Sequence, residues 1–130
     1  MEAAHRFSEV RPLLIEALNS EDSEVRSAAI AAFNEANDVS AHDLVIALAE
    51  DSDVHVREEV LEYIEQFPIQ TDAPYLLAKL ESGEQLFLAS SGLRRLCSGR
   101  GPLLTDDETA DLPAVISEWR ALLQELGYVV

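Results

Sequence analysis

Apolar residues recur at helical spacing along most of this chain, in short stretches that polar turns separate. Residues 44–64, LVIALAEDSDVHVREEVLEYI, show the pattern most clearly, since two amphipathic segments flank an acidic turn. The same arrangement stands earlier in residues 14–33 and returns in weaker form in residues 76–96. The pattern predicts pairs of helices that repeat along the chain.

Matched positions give the length of the repeat. Arg26 and Arg57 are 31 residues apart, and Leu48 and Leu80 are 32 residues apart. A period in this range, with two helices per unit, is typical of an α-solenoid. The predicted units are residues 7–37, 40–67 and 72–98.

Turn and cap residues set the predicted helix boundaries. Pro12 falls in the first turns of the first helix, where a missing N–H is tolerated. Ser23 and Ser40 are the predicted N-caps of the next two helices. The first three predicted helices are residues 7–18, 24–36 and 41–49. The predicted buried side of the second helix is Val25, Ala29, Ala32, Phe33 and Ala36.

The C-terminal part breaks the repeat and then adds one more helix. Residues 98–102, SGRGP, are the strongest breaker in the chain, and residues 99–110 are predicted as an irregular connection. Asp111 is the predicted cap of a last helix over residues 111–127. Its apolar stripe, centred on Trp119, predicts a helix that caps the open end of the stack. The whole chain, residues 1–130, is predicted to be one domain.

Two stretches carry a family resemblance. Residues 17–29 read A-L-x-x-x-D-S-x-V-R-x-x-A, and residues 47–57 read A-L-x-x-D-S-D-V-H-V-R. Both resemble HEAT repeats, in particular the short bacterial HEAT-like repeats, and the resemblance covers residues 10–97. It implies an all-α fold: a short right-handed α-solenoid, or α-α superhelix, of three HEAT-like helical hairpins plus a C-terminal capping helix.

The resemblance also implies which charges meet. In HEAT repeats the aspartate and arginine of this motif typically pair across neighbouring turns. Arg26 and Arg57 are therefore expected to pair with Asp22, Asp51 or Asp53. The third unit has no arginine at the matching position, so the ladder of pairs is expected to end there.

A concave face lined by the second helix of each unit is a further implication of the resemblance. On a helical wheel of the middle unit, Val56, Val60 and Tyr63 lie on one side with Ile64 and Phe67, and the glutamates lie opposite. The predicted partner-binding residues are Glu58, Glu62, Glu65, Ser27, Asn34 and Arg94. A solvated helix face without a partner is the alternative interpretation.

Charge narrows the choice of partner. The chain has 25 acidic and 9 basic residues and a net charge of −16. Such a field repels phosphate backbones, which argues against nucleic-acid binding, and attracts a basic protein. The acidity alternatively serves solubility alone. No apolar run is long enough to span a membrane and no signal peptide is recognisable, so a cytoplasmic location is expected.

Candidate chemical sites are weak. Asp51, Asp53, His55 and Glu62 take positions 1, 3, 5 and 12 of a calcium loop, but Val56 stands where that loop requires glycine. The lone cysteine excludes an internal disulfide. No nucleophile, base and acid converge in the sequence, so we expect no catalysis, no metal and no cofactor.

The function predicted from the sequence is a non-enzymatic protein-interaction module that binds a basic protein, as a monomer or weak homo-oligomer. A bacterial immunity or antitoxin-type inhibitor is one sharper version. The alternative is a bilin-lyase-like protein that handles a tetrapyrrole, because those lyases also resemble HEAT-like repeats. Basic anchors for the tetrapyrrole carboxylates would then come from Arg94, Arg95 and Arg100.

Overall fold

The computed structural model of this 130-residue chain describes residues 2–107 and 111–130, and the side chains from residue 7 onward within those ranges. Its α-helices are α1 (Glu2–Ala17), α2 (Ser23–Glu35), α3 (His42–Ile46), α4 (Val54–Gln66), α5 (Ala73–Ser82), α6 (Leu86–Leu96) and α7 (Leu112–Glu125). Two short 3-10 helices, Val39–Ala41 and Gln70–Asp72, precede α3 and α5. The described ranges contain no β-strand, which confirms the all-α prediction.

The chain divides into two compact units, a first unit of residues 1–63 and a second unit of residues 64–130. Helices pack as hairpins within each of them, α1 against α2 and α5 against α6. Such hairpins are the building blocks of the predicted α-solenoid. The single domain and the three repeat boundaries stay predictions. Within the described ranges, no helix is both long and apolar enough to cross a bilayer.

Helix α1 begins at Glu2, five residues before the predicted start, so the placement of Pro12 in its first turns was wrong. Pro12 lies well inside the helix, where it lacks the N–H that would bond the carbonyl of Ser8. Residues on the N-terminal side of Pro12 pack against α2. The Phe7 ring packs edge-on against the Phe33 ring at 6.0 Å, and the Arg11 guanidinium lies over that same ring at 5.7 Å from its centre.

Helix α2 is capped by Asp22 rather than by the predicted Ser23. The Asp22 carboxylate accepts a hydrogen bond from the Glu24 N–H at 2.9 Å, while Ser23 is already the first helical residue. The buried side of α2 consists of Ala29, Ile30 and Phe33. Val25 is 39% exposed and Ala36 is exposed, so the predicted buried face was rotated away from Ile30.

The predicted helix over residues 41–49 is shorter and begins differently. A 3-10 turn precedes α3. Asp38 caps this 3-10 turn, since its carboxylate accepts a hydrogen bond from the Ser40 N–H at 3.1 Å. The predicted Ser40 cap was wrong, because Ser40 lies inside the 3-10 turn and the N-cap position of α3 is Ala41, which makes no side-chain cap hydrogen bond. The Asp38 backbone carbonyl also accepts a hydrogen bond from the Tyr63 hydroxyl at 2.6 Å.

In the second unit, α5 packs against both α6 and α7. Leucines on α5 and α6 form the core between them: Leu76, Leu77, Leu80, Leu86 and Leu93 are buried. Gly83, with φ 78°, ends α5 in the left-handed conformation that glycine adopts without strain.

Helix α7 spans Leu112–Glu125, shorter than the predicted 111–127, and buries Trp119 and Leu123 completely. The Trp119 indole donates to the Pro102 carbonyl at 3.0 Å. Asp111 stands at the N-cap position but makes no side-chain cap hydrogen bond, so that detail was wrong. Of the predicted connection over residues 99–110, residues 108–110 lie outside the described part of the chain.

Candidate functional site

Helix α4 carries the predicted acidic face, and its first turn is capped by a side chain. The Asp53 carboxylate accepts hydrogen bonds from the N–H groups of Val56 and His55, at 3.1 and 2.9 Å. These bonds lower the pKa of Asp53 below its usual value, the bond from Val56 contributing most. Val56 and Val60 are fully buried on the opposite side of the helix, so Glu58 and Glu62 face outward.

Four carboxylates converge on this outward side, and we name Glu35, Glu58, Glu59 and Glu62 the α4 acidic cluster. Partial burial raises the pKa of Glu59, and the nearby carboxylates of Glu62, Glu58 and Glu35 raise it further. A raised carboxyl pKa means that the ionised form is disfavoured where it stands. The like charges of the neighbouring carboxylates thus add to the effect of partial burial at Glu59.

Two of the predicted partner-binding residues, Glu58 and Glu62, belong to this cluster, whereas Glu59 and Glu35 were not predicted. Glu59 precedes Glu62 by three residues, and Glu58 precedes Glu62 by four. Both spacings place side chains next to each other on one side of a helix. Those spacings were visible in the sequence. The contribution of Glu35 comes from α2, and only the packing of the first unit brings it near.

Ser27 and Asn34 are the predicted site residues on α2, and neither is shown facing a partner surface. The Ser27 hydroxyl donates to the Glu24 carbonyl at 3.3 Å, one turn back in the same helix. The Asn34 side-chain oxygen is buried and accepts no hydrogen bond from the residues that the structure describes. Neither residue contributes a charge to the α4 acidic cluster.

Glu65 and Arg94, the predicted site residues of the second unit, are engaged in structural contacts. Glu65 accepts hydrogen bonds from the Ser91 hydroxyl at 2.7 Å and from Arg95 at 3.1 Å, and its side chain is 15% exposed. Arg94 donates twice to the Gly99 carbonyl, at 3.1 and 2.7 Å. Both side chains therefore hold α6 to neighbouring segments of its own unit.

The arginine of the first repeat pairs as the family resemblance implies. Arg26 donates two hydrogen bonds to the Asp51 carboxylate, both at 3.0 Å, and a third to the Ser20 carbonyl at 2.7 Å. The Arg26 hydrogen bond lowers the pKa of Asp51 below its usual value. Arg57 instead donates to the backbone carbonyls of Asp51 and Ser52, at 2.9 and 3.3 Å.

The apparent calcium loop is built for other contacts. Asp51 binds Arg26, and Asp53 caps α4, so both carboxylates serve the turn itself. His55 is exposed and lies 3.6 Å from Glu58. Across the described ranges, no group of three or more histidine, cysteine, aspartate or glutamate residues is arranged to hold a metal ion.

A family model described as HEAT repeats matches residues 6–90, well over half of the chain. The match begins in α1 and ends within α6, so it contains the Arg26–Asp51 pair and the whole of α4. Comparison with curated proteins and with solved structures gives no match.

Proposed function

This chain belongs to the HEAT-repeat family, and on that premise we propose that it is a non-catalytic scaffold that binds a basic protein through the α4 acidic cluster. HEAT repeats are typical of protein-interaction scaffolds. The observation that carries the proposal is the placement of Glu58, Glu59 and Glu62 within five residues of α4, where Glu58 and Glu62 lie on the side away from the buried Val56 and Val60. The raised pKa of Glu59 agrees with this grouping, since the neighbouring carboxylates add to the larger effect of partial burial.

Electrostatics favours a cationic partner at this face. A lysine or arginine placed among Glu58, Glu59 and Glu62 would relieve their mutual repulsion and lower the pKa of Glu59 toward its usual value. The net charge of −16 would also steer a basic protein toward the chain and speed the encounter. Attraction of this kind weakens as salt screens it.

The absence of catalysis remains part of the proposal, and two side-chain environments support it. Burial raises the pKa of the Cys97 thiol, which favours the unreactive protonated form. The Ser90 hydroxyl is buried, donates to the Leu86 carbonyl at 2.8 Å, and accepts from the Leu104 N–H at 3.0 Å. Both potential nucleophiles thus serve the packing of α6.

An immunity or antitoxin-type inhibitor of a basic toxin is the sharper form of the proposal. The tetrapyrrole alternative gains no support from the three arginines that would anchor its carboxylates. Arg94 binds the Gly99 carbonyl, Arg95 binds Glu65, and Arg100 lies 3.6 Å from Glu125. Each already has an acceptor within its own unit.

The test is a pull-down from the source lysate at low and high salt, with captured proteins identified by mass spectrometry. The cluster variant is Glu58→Lys with Glu62→Lys. The matched control is Glu50→Lys with Glu118→Lys, two exposed glutamates outside the cluster, which changes the net charge equally. We expect the wild type and the control to capture the same basic protein at low salt, and the cluster variant to lose it.

All three proteins should have similar melting temperatures, so that a loss of capture reports binding rather than unfolding. Equal capture by the cluster variant and the control would move the binding surface elsewhere. Capture that persists unchanged at high salt would contradict an electrostatic mechanism.

A further inference from the structure

The first unit leaves an apolar groove open between α1 and α2. It has a volume of about 360 Å3 and is lined by Leu14, Ala17, Asp22, Glu24, Val25, Ala28 and Ala29. Beside it on α1, Leu13 is 64% exposed and Val10 is 43% exposed, while Val25 on α2 is 39% exposed. Val10, Leu13 and Ala17 follow one another at helical spacing, so they form one continuous apolar edge.

The floor of the groove is shallow because three of its residues are alanines. Small side chains allow another helix to approach closely, whereas an isolated small molecule would find little enclosure there. Ridges of side chains on an incoming helix fit such a groove, as in ordinary helix–helix packing.

The charges around the groove are acidic. Asp22 and Glu24 line it, and Glu16 and Glu21 are exposed beside it in sequence. The nearby arginines are neutralised by other carboxylates. Arg11 donates to Asp38 at 2.7 Å, and Arg26 donates to Asp51 at 3.0 Å.

The second unit shows how the chain itself covers such an edge. There α7 packs against α5 and buries Trp119 and Leu123 from its apolar stripe. Arg120, next to that stripe, pairs with Glu81 of α5 at 3.0 Å. An apolar stripe flanked by a cation is therefore the chemistry that the chain uses to cover a hairpin.

We infer that the α1–α2 groove is a docking site for an amphipathic helix of another protein, with an apolar stripe flanked by lysine or arginine. The stripe covers Leu13, Val10 and Val25, and the flanking cations meet Asp22 and Glu24. A second copy of this chain fits less well, since a two-fold contact would bring the same acidic rim against itself.

The groove is separate from the α4 acidic cluster. Its lining comes from α1, α2 and the turn between them, and none of the four cluster residues is among the groove-lining residues that the structure describes. Groove binding can consequently fail while cluster binding holds, or the reverse.

The probe is a synthetic amphipathic peptide with a leucine stripe flanked by lysines. One control peptide carries glutamates in place of the lysines, and another has the same composition in scrambled order. Binding is measured by calorimetry, and the site is mapped by backbone amide chemical shifts. Leu13→Asp places a charge on the exposed apolar edge beside the groove, and Val39→Asp is its matched control, since Val39 is 62% exposed in the same unit. Glu24→Lys tests the rim.

We expect the lysine-flanked peptide alone to bind and to shift the amides of Leu14, Ala17, Val25 and Ala28. Leu13→Asp should weaken binding by about tenfold or more, as loss of an apolar anchor does. Glu24→Lys should weaken it by several-fold, and Val39→Asp should not change it. The Glu58→Lys, Glu62→Lys variant should bind the peptide as the wild type does, which separates this test from that of the cluster.

Three results would overturn the inference. Leu13→Asp could bind the peptide as tightly as the wild type does. The shifts could be confined to α4. Analytical ultracentrifugation could show a dimer that Leu13→Asp dissolves, which would make a second copy the occupant of the groove.

Discussion

In the first unit, charged side chains join the turns: Arg26 binds Asp51, and Arg11 binds Asp38. In the second unit, α7 lies against α5, and the Trp119 indole fills the space beside the connecting loop. Both units bury their largest side chains, Tyr63 in the first and Trp119 in the second, but α7 covers α5 whereas the α1 edge of the first hairpin leaves Leu13 64% exposed. The difference teaches that ion pairs can order a repeat whose apolar edge stays uncovered. That exposed edge is where the proposed helical partner would bury apolar surface.

The largest expected effect is a loss of stability in the second unit. Trp119→Ala removes a fully buried indole and its hydrogen bond to Pro102, and should cost about 3–5 kcal/mol of unfolding free energy. Urea unfolding measures the loss. Hydrogen exchange should show it in α5 to α7 first. A loss below about 1 kcal/mol would mean that α7 is only loosely attached.

The next largest expected effect is on stability and comes from the two glycines in the loop beside Trp119. Gly99 and Gly101 both have positive φ, 82° and 103°, so alanine at either position carries backbone strain of about 1 kcal/mol. A Cβ on Gly101 would also come within 2.7 Å of Trp119 Cζ2, whereas nothing lies within 4 Å of one on Gly99. Gly101→Ala should therefore cost about 1–3 kcal/mol more than Gly99→Ala.

The control for this clash is the same pair of glycine variants in a Trp119→Ala background. Without the indole, the two alanine substitutions should become nearly equal in cost. If the difference between them survives there, its cause is not the contact with Trp119.

A smaller, pH-dependent effect belongs to the first unit. Arg26→Gln should lower Tm by a few degrees at neutral pH, because Asp51 keeps a carboxylate that is only 8% exposed and loses its partner. The pair lowers the pKa of Asp51 from about 3.8, so its stabilisation is present above that pH and is lost as pH falls through the folded-state pKa.

Thermal unfolding of Arg26→Gln and wild type across the acidic range checks this sign. The two melting temperatures should converge at low pH, while the Trp119→Ala deficit should persist there. A constant difference at all pH values would show that Arg26 acts through packing of its stem rather than through the charge of Asp51.

The smallest effect has the opposite sign. Glu59→Gln removes like-charge repulsion on α4 and should stabilise the chain by about 0.2–0.5 kcal/mol at neutral pH. Because the pKa of Glu59 is raised, the ionised group destabilises the folded state above that pKa, and the gain should disappear as pH falls toward 4.5. Glu50→Gln, at an exposed glutamate in the turn before α4, should change little.

The sequence predicted the features that depend on spacing and chemical type. The helical spacing of apolar residues indicated three helix pairs and one further helix, and the described ranges contain seven α-helices. The stripe on the last helix identified Trp119 as a core residue. The repeated turn, through its family resemblance, indicated that Arg26 would pair with one of three aspartates. These features repeat along the chain, so one unit informs the next.

Features that depend on a few tens of degrees of helix rotation were not predictable. Arg94 and Arg95 are adjacent in sequence, and only the packing of α6 decides that Arg95 meets Glu65 while Arg94 turns to Gly99. The rotation of α2 about its own axis likewise exposes Val25 and buries Ile30. The place of Glu35 in the α4 acidic cluster required contact between two helices, which periodicity within one helix does not contain.

The burial of Trp119 has a spectroscopic consequence. The chain contains one tryptophan, and it lies in the second unit, so indole fluorescence reports the unfolding of that unit alone. Circular dichroism at helical wavelengths reports both units together. Coincident transitions by the two signals would show one cooperative folding reaction, and separated transitions would show that the two units melt independently. The natural chain thus carries its own site-specific fluorophore.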